Sequence, residues 1–552
     1  MEGIAAATTR LKAHQSLAYP DKPIYTGPEA PCRFEAEVYN CEVRGTIPDA
    51  IDGTYYRNMP DPQWAPKCPD DIYFNGDGCI DALRFHNGHV DFKQKHVRTR
   101  KFVLERAARG PLFGKFRNPW SDDPRVKDEV RSTANTHIVY YNKMLLALKE
   151  DSPAYALDPN TLDTIGLYDF DGQNTSPTSS AHPKIDPVTG EYITIGYEAR
   201  GDGSPTIAYH VFDKNGKKTE ECWFDAPFAG MTHDMGVTEN WVVIIIAPLV
   251  CVSAEKQKEG YQHFAWDENT PVTFGLLPRR SPKPEDVKWF IYKSVYIVHC
   301  GNSFEEDGCV YIDTPVAYGN RMFFFPPLND KSGKQRAVYK AHYARWRFDP
   351  NATDSYVEPQ PLIEFSGEFP TVDNRYLTRK YRYAFLTATL EKSQEAGSTP
   401  LGSMGGLQNG IAMCDTHTGK ISSWTAGPDT AMCEATFCPR SPDAAEADGY
   451  LISALNCRDK GLTCIVILDT RKIHEGPIAI ISLPFRLRTG THGSWVPAQE
   501  LGERRELCDM QHVTEEMQQK FGQDHKVKLN NGNSVPSVNG SGVNGLASVG
   551  LI

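Results

Sequence analysis

Apolar residues cluster in short runs separated by turn signals, with the composition of strands rather than helices. The runs at 143–150 (KMLLALKE), 191–198 (EYITIGYE), 241–247, 295–300, 321–325, 450–456, 463–470 and 477–483 are rich in Val, Ile, Tyr and Phe. Gly, Pro, Asn or Asp bound them. Asp-x-x-Thr or Asp-x-x-Gly turns recur beside them at 158–161, 186–190, 213–216 and 415–419. Asp can bond its own downstream backbone and Gly accepts positive φ, so these turns suit tight hairpins. Hairpins repeating from about residue 35 to 490, with almost no helical periodicity between them, predict an all-β fold of the propeller type. A sandwich array would need linkers, and the sequence offers none.

Helical composition is confined to the ends and insertions. Residues 498–521 (AQELGERRELCDMQHVTEEMQQKF) follow Pro497 and predict a helix, although Gly502 interrupts it. From Leu529 onward the sequence is Asn, Gly and Ser with nothing to bury, so a disordered tail is expected. The organisation predicted is an N-terminal extension at 1–34, one propeller domain with cap insertions at 35–526 and a tail at 527–552.

At ordinary domain sizes 552 residues would divide into three or four units, but a propeller absorbs that length as one. Lys and Arg number 59 against 70 Asp and Glu, a net charge of −11, which argues against nucleic acid or an anionic membrane surface as partner. The longest apolar run, 241–250 (WVVIIIAPLV), is far shorter than the ~18 residues a membrane span needs. The first residues, MEGIAAATTRLKAH, lack the apolar centre of a signal peptide. Fourteen Cys without a Cys-x-x-Cys pair suit reduced, packed thiols. The expectation is a cytoplasmic protein with no stable membrane insertion and no obligate protein partner. There is no Walker loop, no strand–GxGxxG–helix and no Gly-x-Ser-x-Gly elbow; the GSMGG run at 402–406 suits a flexible loop.

Sixteen His are present. His14, His86, His89, His96, His474 and His525 sit among charged or turn residues and are expected in solvent. His182, His233, His299 and His492 share another context: each stands at the edge of a strand-like run, in blocks spaced by 51, 66 and 193 residues. In a propeller, equivalent strand positions converge on the axis, so these four imidazoles can meet around a first-row divalent metal. Spacing alone leaves open a metal centre or four unrelated core and surface histidines.

Around these residues the sequence resembles the carotenoid cleavage oxygenase family over residues 41–497. The motifs are GTYYRN at 53–58, FNGDG at 74–78, ANT at 134–136, AHP at 181–183, HDM at 233–235, His299 with Asn302, Phe304 and Glu305, EFP at 368–370, Glu434 with Phe437, Pro439 and Arg440, DGY at 448–450, and His492 with Gly493 and Trp495. The resemblance implies a seven-bladed β-propeller with a helical and loop cap over one face. It also implies non-haem Fe(II) held by His182, His233, His299 and His492, with O2 as co-substrate and no organic cofactor. Glu150, Glu368 and Glu434 match the carboxylates that anchor the ligand imidazoles, and Thr136 matches a threonine beside the open iron position. Ala435 and Cys438 depart from the family's usual Pro and Val, a difference of packing.

Within the family, Lys149 resembles the lysine by which stilbene and lignostilbene cleavers contact a phenolic oxygen, where many carotenoid cleavers carry an apolar or aromatic residue. Phe74 matches an aromatic that packs on the substrate ring. Those enzymes pair the Lys with a Tyr hydroxyl; here Phe116 falls at that position, or Trp120 with a small gap, and neither offers a hydroxyl. The activity implied is Fe(II)-dependent cleavage of the alkene double bond of 4-hydroxylated stilbenes or phenylpropenes, of the resveratrol, lignostilbene, isoeugenol or 4-vinylguaiacol type. The products would be aromatic aldehydes such as 4-hydroxybenzaldehyde or vanillin. Carotenoid or apocarotenoid cleavage is the alternative, and a non-catalytic propeller scaffold a second. Residues 261–286 and 388–410 are expected as the loops that set pocket length.

Overall fold

The computed structural model describes residues 18–511 apart from 323, 330–340, 366 and 391–407, and a few positions between 513 and 520. Seven antiparallel sheets of four to six strands form the molecule, with a two-stranded ribbon, Leu249–Cys251 with Phe264–Trp266, beside them. These are the blades of the propeller. Their first strands are, in ring order, Gly493–Pro497, His137–Tyr141, Lys184–Ile185, Met235–Val237, Asn302–Glu306, Gly367–Val372, and the pair Thr430–Met432 and Thr436–Pro439. We number the blades 1 to 7 in that order.

The ring closes where distant parts of the sequence pair. Gly493–Pro497 joins Gly53–Pro60 in blade 1, and Glu42–Gly45 from the N-terminal side edges blade 7 through Pro477–Ser482. At Gly53 (φ +158°) a Cβ would stand 2.4 Å from the Val496 carbonyl oxygen, so the closing pair requires glycine there.

Blades pack face to face, which hides both sides of their middle strands. Gly53–Pro60, Thr206–Phe212 and Gly449–Cys457 are buried at every position, which is why their sequences do not alternate apolar with exposed polar residues. Outer strands such as Thr164–Tyr168 and Lys218–Asp225 alternate with period two instead. The core is divided in the same way, with one apolar cluster between each pair of neighbouring blades. The cluster between blades 3 and 4 extends upward into the cap, taking in Ile24, Tyr25, Tyr73, Phe116, Phe324 and Phe325.

The predicted helix at 498–521 is corrected by the structure. Residues 498–510 are turns and irregular backbone, and helical positions among the described residues begin only at Glu516. Leu501 and Leu507 are drawn into the cluster between blades 1 and 2, Lys93 donates to the Leu507 carbonyl at 2.9 Å, and Gly502 is at φ +68°. Those contacts outweigh helix propensity. Residues 261–286 are not a single loop: they contain the strands Phe264–Trp266 and Val272–Pro278, the latter in blade 4, with turns between and after them. His96, expected in solvent, is 2% exposed and bonds Asp61. The GSMGG run, most of 388–410 and the C-terminal tail lie outside the described residues. No helix among the described residues is long and apolar enough to cross a membrane, and all fourteen cysteines are unpaired.

Candidate metal centre and substrate pocket

The seven first strands deliver their leading residues to the axis. His492 precedes the first strand of blade 1, Thr136 that of blade 2, and His182, His233 and His299 those of blades 3, 4 and 5. Blade 6 brings Glu368 within its first strand, and blade 7 brings Glu434 between its two short ones. Four blades thus supply histidines whose ligand nitrogens all lie within 4.8 Å of one another.

Each of three imidazoles is aimed by a carboxylate. His233 Nδ1 meets Glu150 at 2.5 Å, His299 Nδ1 meets Glu368 at 2.7 Å and His492 Nδ1 meets Glu434 at 2.8 Å. Donation from Nδ1 leaves the Nε2 lone pair pointing inward, the arrangement of a metal-bound imidazole. His182 has a backbone anchor instead, its N–H donating to Ser180 Oγ at 2.9 Å. Asp234 ties blades 3, 4 and 5 together by accepting from Lys184 Nζ at 2.7 Å and from the Cys300 N–H at 2.8 Å.

Electrostatics agree with a ligand set. Burial, then the neighbouring imidazoles, push His182 and His492 well below the usual histidine range, which keeps them neutral. Glu150 and Glu368 are held low by His233 and His299 in spite of burial, whereas burial pushes Glu434 up to about 7. His182 Nε2 and His233 Nε2 stand 3.0 Å apart, and His299 Nε2 is buried without a partner. Four inward lone pairs, one of them unsatisfied, fit a shared divalent cation of the first transition row.

A fifth histidine escaped the sequence reading. His137, directly after Thr136, places its ring 5.4 Å from His182 and 5.2 Å from His492, and its Nδ1 bonds the Ala181 carbonyl at 3.0 Å. Its signal was present, since it too opens a strand-like run (HIVYY).

Beside the centre, Lys149 directly follows the blade 2 strand Met144–Leu148 and is only 4% exposed. Its ammonium donates to the Phe74 carbonyl at 3.1 Å, lies 4.0 Å from Glu150, and faces the rings of Phe116 at 4.8 Å and Phe74 at 5.8 Å. Local bonds fix those rings. Asn135 Nδ2 donates to the Phe74 and Gly76 carbonyls at 2.7 and 2.6 Å, and the Phe116 N–H donates to Asp71 at 3.1 Å. Phe324 packs edge-on against Phe74 at 5.4 Å. Thr136 lies between blades 1 and 2, its carbonyl accepting from the Thr491 hydroxyl and the His492 N–H. Trp120 is not brought to this wall. It sits in the 3-10 turn Pro119–Ser121, 55% exposed, with the Lys258 ammonium over its ring at 4.3 Å.

The fold and site define a class of propeller: four histidines able to hold a metal ion on the axis, with a buried lysine among aromatic rings beside them. Residues 29–497 match the family model of the retinal pigment epithelial membrane protein. The protein is 41% identical to resveratrol cleavage oxygenase 1 of Aspergillus fumigatus, with 88% of this chain and 98% of that protein covered. It is 37% identical to isoeugenol monooxygenase of Pseudomonas nitroreducens, with 86% and 98% covered. The solved lignostilbene dioxygenase of Pseudomonas brassicacearum superposes with a TM-score of 0.83 at 39% identity, covering 88% of this chain and all of that one. The protein belongs to the retinal pigment epithelial membrane protein, or carotenoid oxygenase, family, and is an oxygenase of it.

Proposed function

We propose that this protein is an Fe(II)-dependent dioxygenase that cleaves the alkene double bond of 4-hydroxylated stilbenes or phenylpropenes to aromatic aldehydes. The observation that carries this reading is Lys149, a buried ammonium between two phenyl rings with one backbone carbonyl in hydrogen-bond reach. A hydrocarbon substrate would leave that ammonium one backbone carbonyl and a carboxylate at 4.0 Å, with its remaining N–H groups unsatisfied in a desolvated site. A phenol oxygen supplies the partner, which disfavours a carotenoid. The relatives named for resveratrol, isoeugenol and lignostilbene support the same substrate class.

His182, His233, His299 and His492 would hold the iron, oriented by Glu150, Glu368 and Glu434. When bound, Fe(II) supplies the activation of O2. The protein's own residues do the rest. Lys149 Nζ donates to the phenolic oxygen and stabilises its phenolate character, which moves electron density through the ring to the para alkene. Phe74 and Phe116 hold the ring and exclude water, and Thr136 narrows the approach beside His492. In the overall reaction one carbon–carbon double bond and one O–O bond break and two carbonyl bonds form, so no external reductant is needed.

With Phe116 in place of a tyrosine, phenol recognition rests on one side-chain donor. A site with fewer polar contacts discriminates less between one-ring and two-ring substrates. The test is aldehyde formation in air by Fe(II)-loaded protein, comparing isoeugenol with trans-resveratrol. Release of vanillin or 4-hydroxybenzaldehyde-type products is expected. An iron-loaded protein that turns over neither substrate but cleaves an apocarotenoid would replace this reading.

A further inference from the structure

A cavity of about 530 Å³ runs along the propeller axis on a different side of the centre from Lys149. Its inner end is walled by His182, His299, His492 and Glu434, all buried. Its outer end is walled by Pro187, Asn374 and Glu500, which are exposed. The histidines are therefore joined to the surface by a path that touches none of Phe74, Phe116, Thr136 and Lys149.

We propose that this axial cavity is the route by which the metal ion reaches and leaves the centre, with His137 as a transit ligand on the way. The inference rests on the metal reading above. Three observations carry it. The wall bears four carboxylates, Asp186, Asp234, Glu434 and Glu500, against two cations. Lys184 is paired with Asp234, Arg375 with Asp373 and Asp186 with Arg279, which leaves Glu434 at the inner end and Glu500 at the outer end as oxygen donors along the path. Beside Phe74 and Phe116, by contrast, the buried Lys149 ammonium opposes the approach of a cation. Finally, His137 lines the cavity with its Nδ1 committed to the Ala181 carbonyl. That bond fixes the proton on Nδ1 and leaves Nε2 as a free donor atom. The ring lies next to His182 and His492 but outside the set of four ligand nitrogens. It is placed to accept an ion shedding water and pass it inward.

A barrier on a path changes the rates in both directions equally and leaves the equilibrium constant alone. Loss of a resident ligand instead weakens binding. The experiment uses full-length apoprotein, anaerobic ammonium iron(II) sulfate as the probe, and a colorimetric chelator to follow uptake and release. Asn374→Trp narrows the exposed mouth, and His137→Phe removes the transit nitrogen. Each is expected to slow uptake and release by about fivefold or more, a barrier change of about 1 kcal/mol, with final iron content and Kd as in the wild type. Unchanged rates in Asn374→Trp overturn the route, whether or not the His137 variant folds. A weakened Kd with normal uptake in His137→Phe overturns the transit role and makes His137 a resident ligand. Failure of the wild-type apoprotein to take up iron at all would instead remove the metal reading itself.

Discussion

Lys149 carries the substrate argument, and its environment sets what its loss should do. Truncation to alanine removes the only side-chain ammonium facing Phe74 and Phe116 among the described residues, and with it a 4.0 Å ion pair to Glu150, but it leaves the Glu150–His233 hydrogen bond and the four histidines in place. Lys149→Ala is expected to retain iron while kcat/KM for 4-hydroxylated substrates falls about 10- to 100-fold, the loss of one charge-assisted hydrogen bond in a desolvated site. Metal analysis beside steady-state kinetics checks both halves, and near-normal turnover would remove the phenol anchor. Asp71 offers a pH test of the same wall. It accepts from the Phe116 and Ile72 N–H groups, and burial raises its pKa from 3.8 to about 6. The unfolded state ionises this group near pH 4 and the folded protein only near 6, so wild-type stability falls across that window as pH rises, by about 3 kcal/mol. Asp71→Asn cannot ionise. Its unfolding free energy relative to wild type should therefore rise by that order between pH 4 and pH 8 in denaturant titrations; a pH-independent difference would refute the assignment. At this scale the sequence showed residue types in context but not which neighbour completes each. The four histidines could be singled out because each stands at the edge of a strand-like run, whereas the three glutamates could be named only through the family resemblance. His137 was passed over beside Thr136, and the Trp120 alternative failed because a local turn at Pro119–Ser121 faces the ring outward.

At the scale of elements, the N-terminal segment behaves as a strap over the pocket. Arg488 is fully buried, its Nε donating to the Glu29 carbonyl at 2.9 Å and its Nη2 to the Ile24 carbonyl at 2.6 Å, with Pro60 as a further acceptor. The guanidinium also stacks on Tyr73, and Ile24 and Tyr25 join the same apolar cluster as Phe116. Arg488→Ala leaves several buried carbonyls unpaired, at about 1–3 kcal/mol each. The expected result is early proteolytic cleavage near residues 23–30 together with a raised KM, read by N-terminal sequencing of limited digests and by kinetics. A variant with wild-type resistance to protease would show that the strap is held by apolar contact alone. Strands were legible from sequence because blades bury both faces and write apolar-rich runs such as WVVIII and GYLISALNC. The segment at 498–510 was not, since its helix-forming composition is overruled by Leu501 and Leu507 finding places between blades 1 and 2. Period and propensity are local, whereas the burial that decided this segment comes from strands more than 300 residues earlier.

For the molecule as a whole, the metal centre and the closure of the ring are one problem. His492 directly precedes the closing strand Gly493–Pro497, and that strand is held by Gly53–Pro60. An ion bound by histidines from blades 1, 3, 4 and 5 therefore fastens the closing blade to the far side of the ring. Any ligand that binds only the folded state stabilises it by RT ln(1 + [L]/Kd), about 4 kcal/mol at a thousandfold excess over Kd. Gly53→Ala attacks the closure without touching a histidine, because its Cβ would stand 2.4 Å from the Val496 carbonyl oxygen. Separating the two strands displaces Gly493 and with it His492, whose N–H and imidazole are fixed by Thr136 and Glu434. The variant is expected to unfold several degrees lower than wild type as apoprotein, and to gain less from added iron because one of four ligands is misplaced. Thermal unfolding of both proteins, anaerobically with and without Fe(II), measures the two effects separately. If Gly53→Ala lowered the apoprotein midpoint yet kept the full iron-induced increase, closure and metal binding would be independent, and the remaining six blades would suffice to hold the centre.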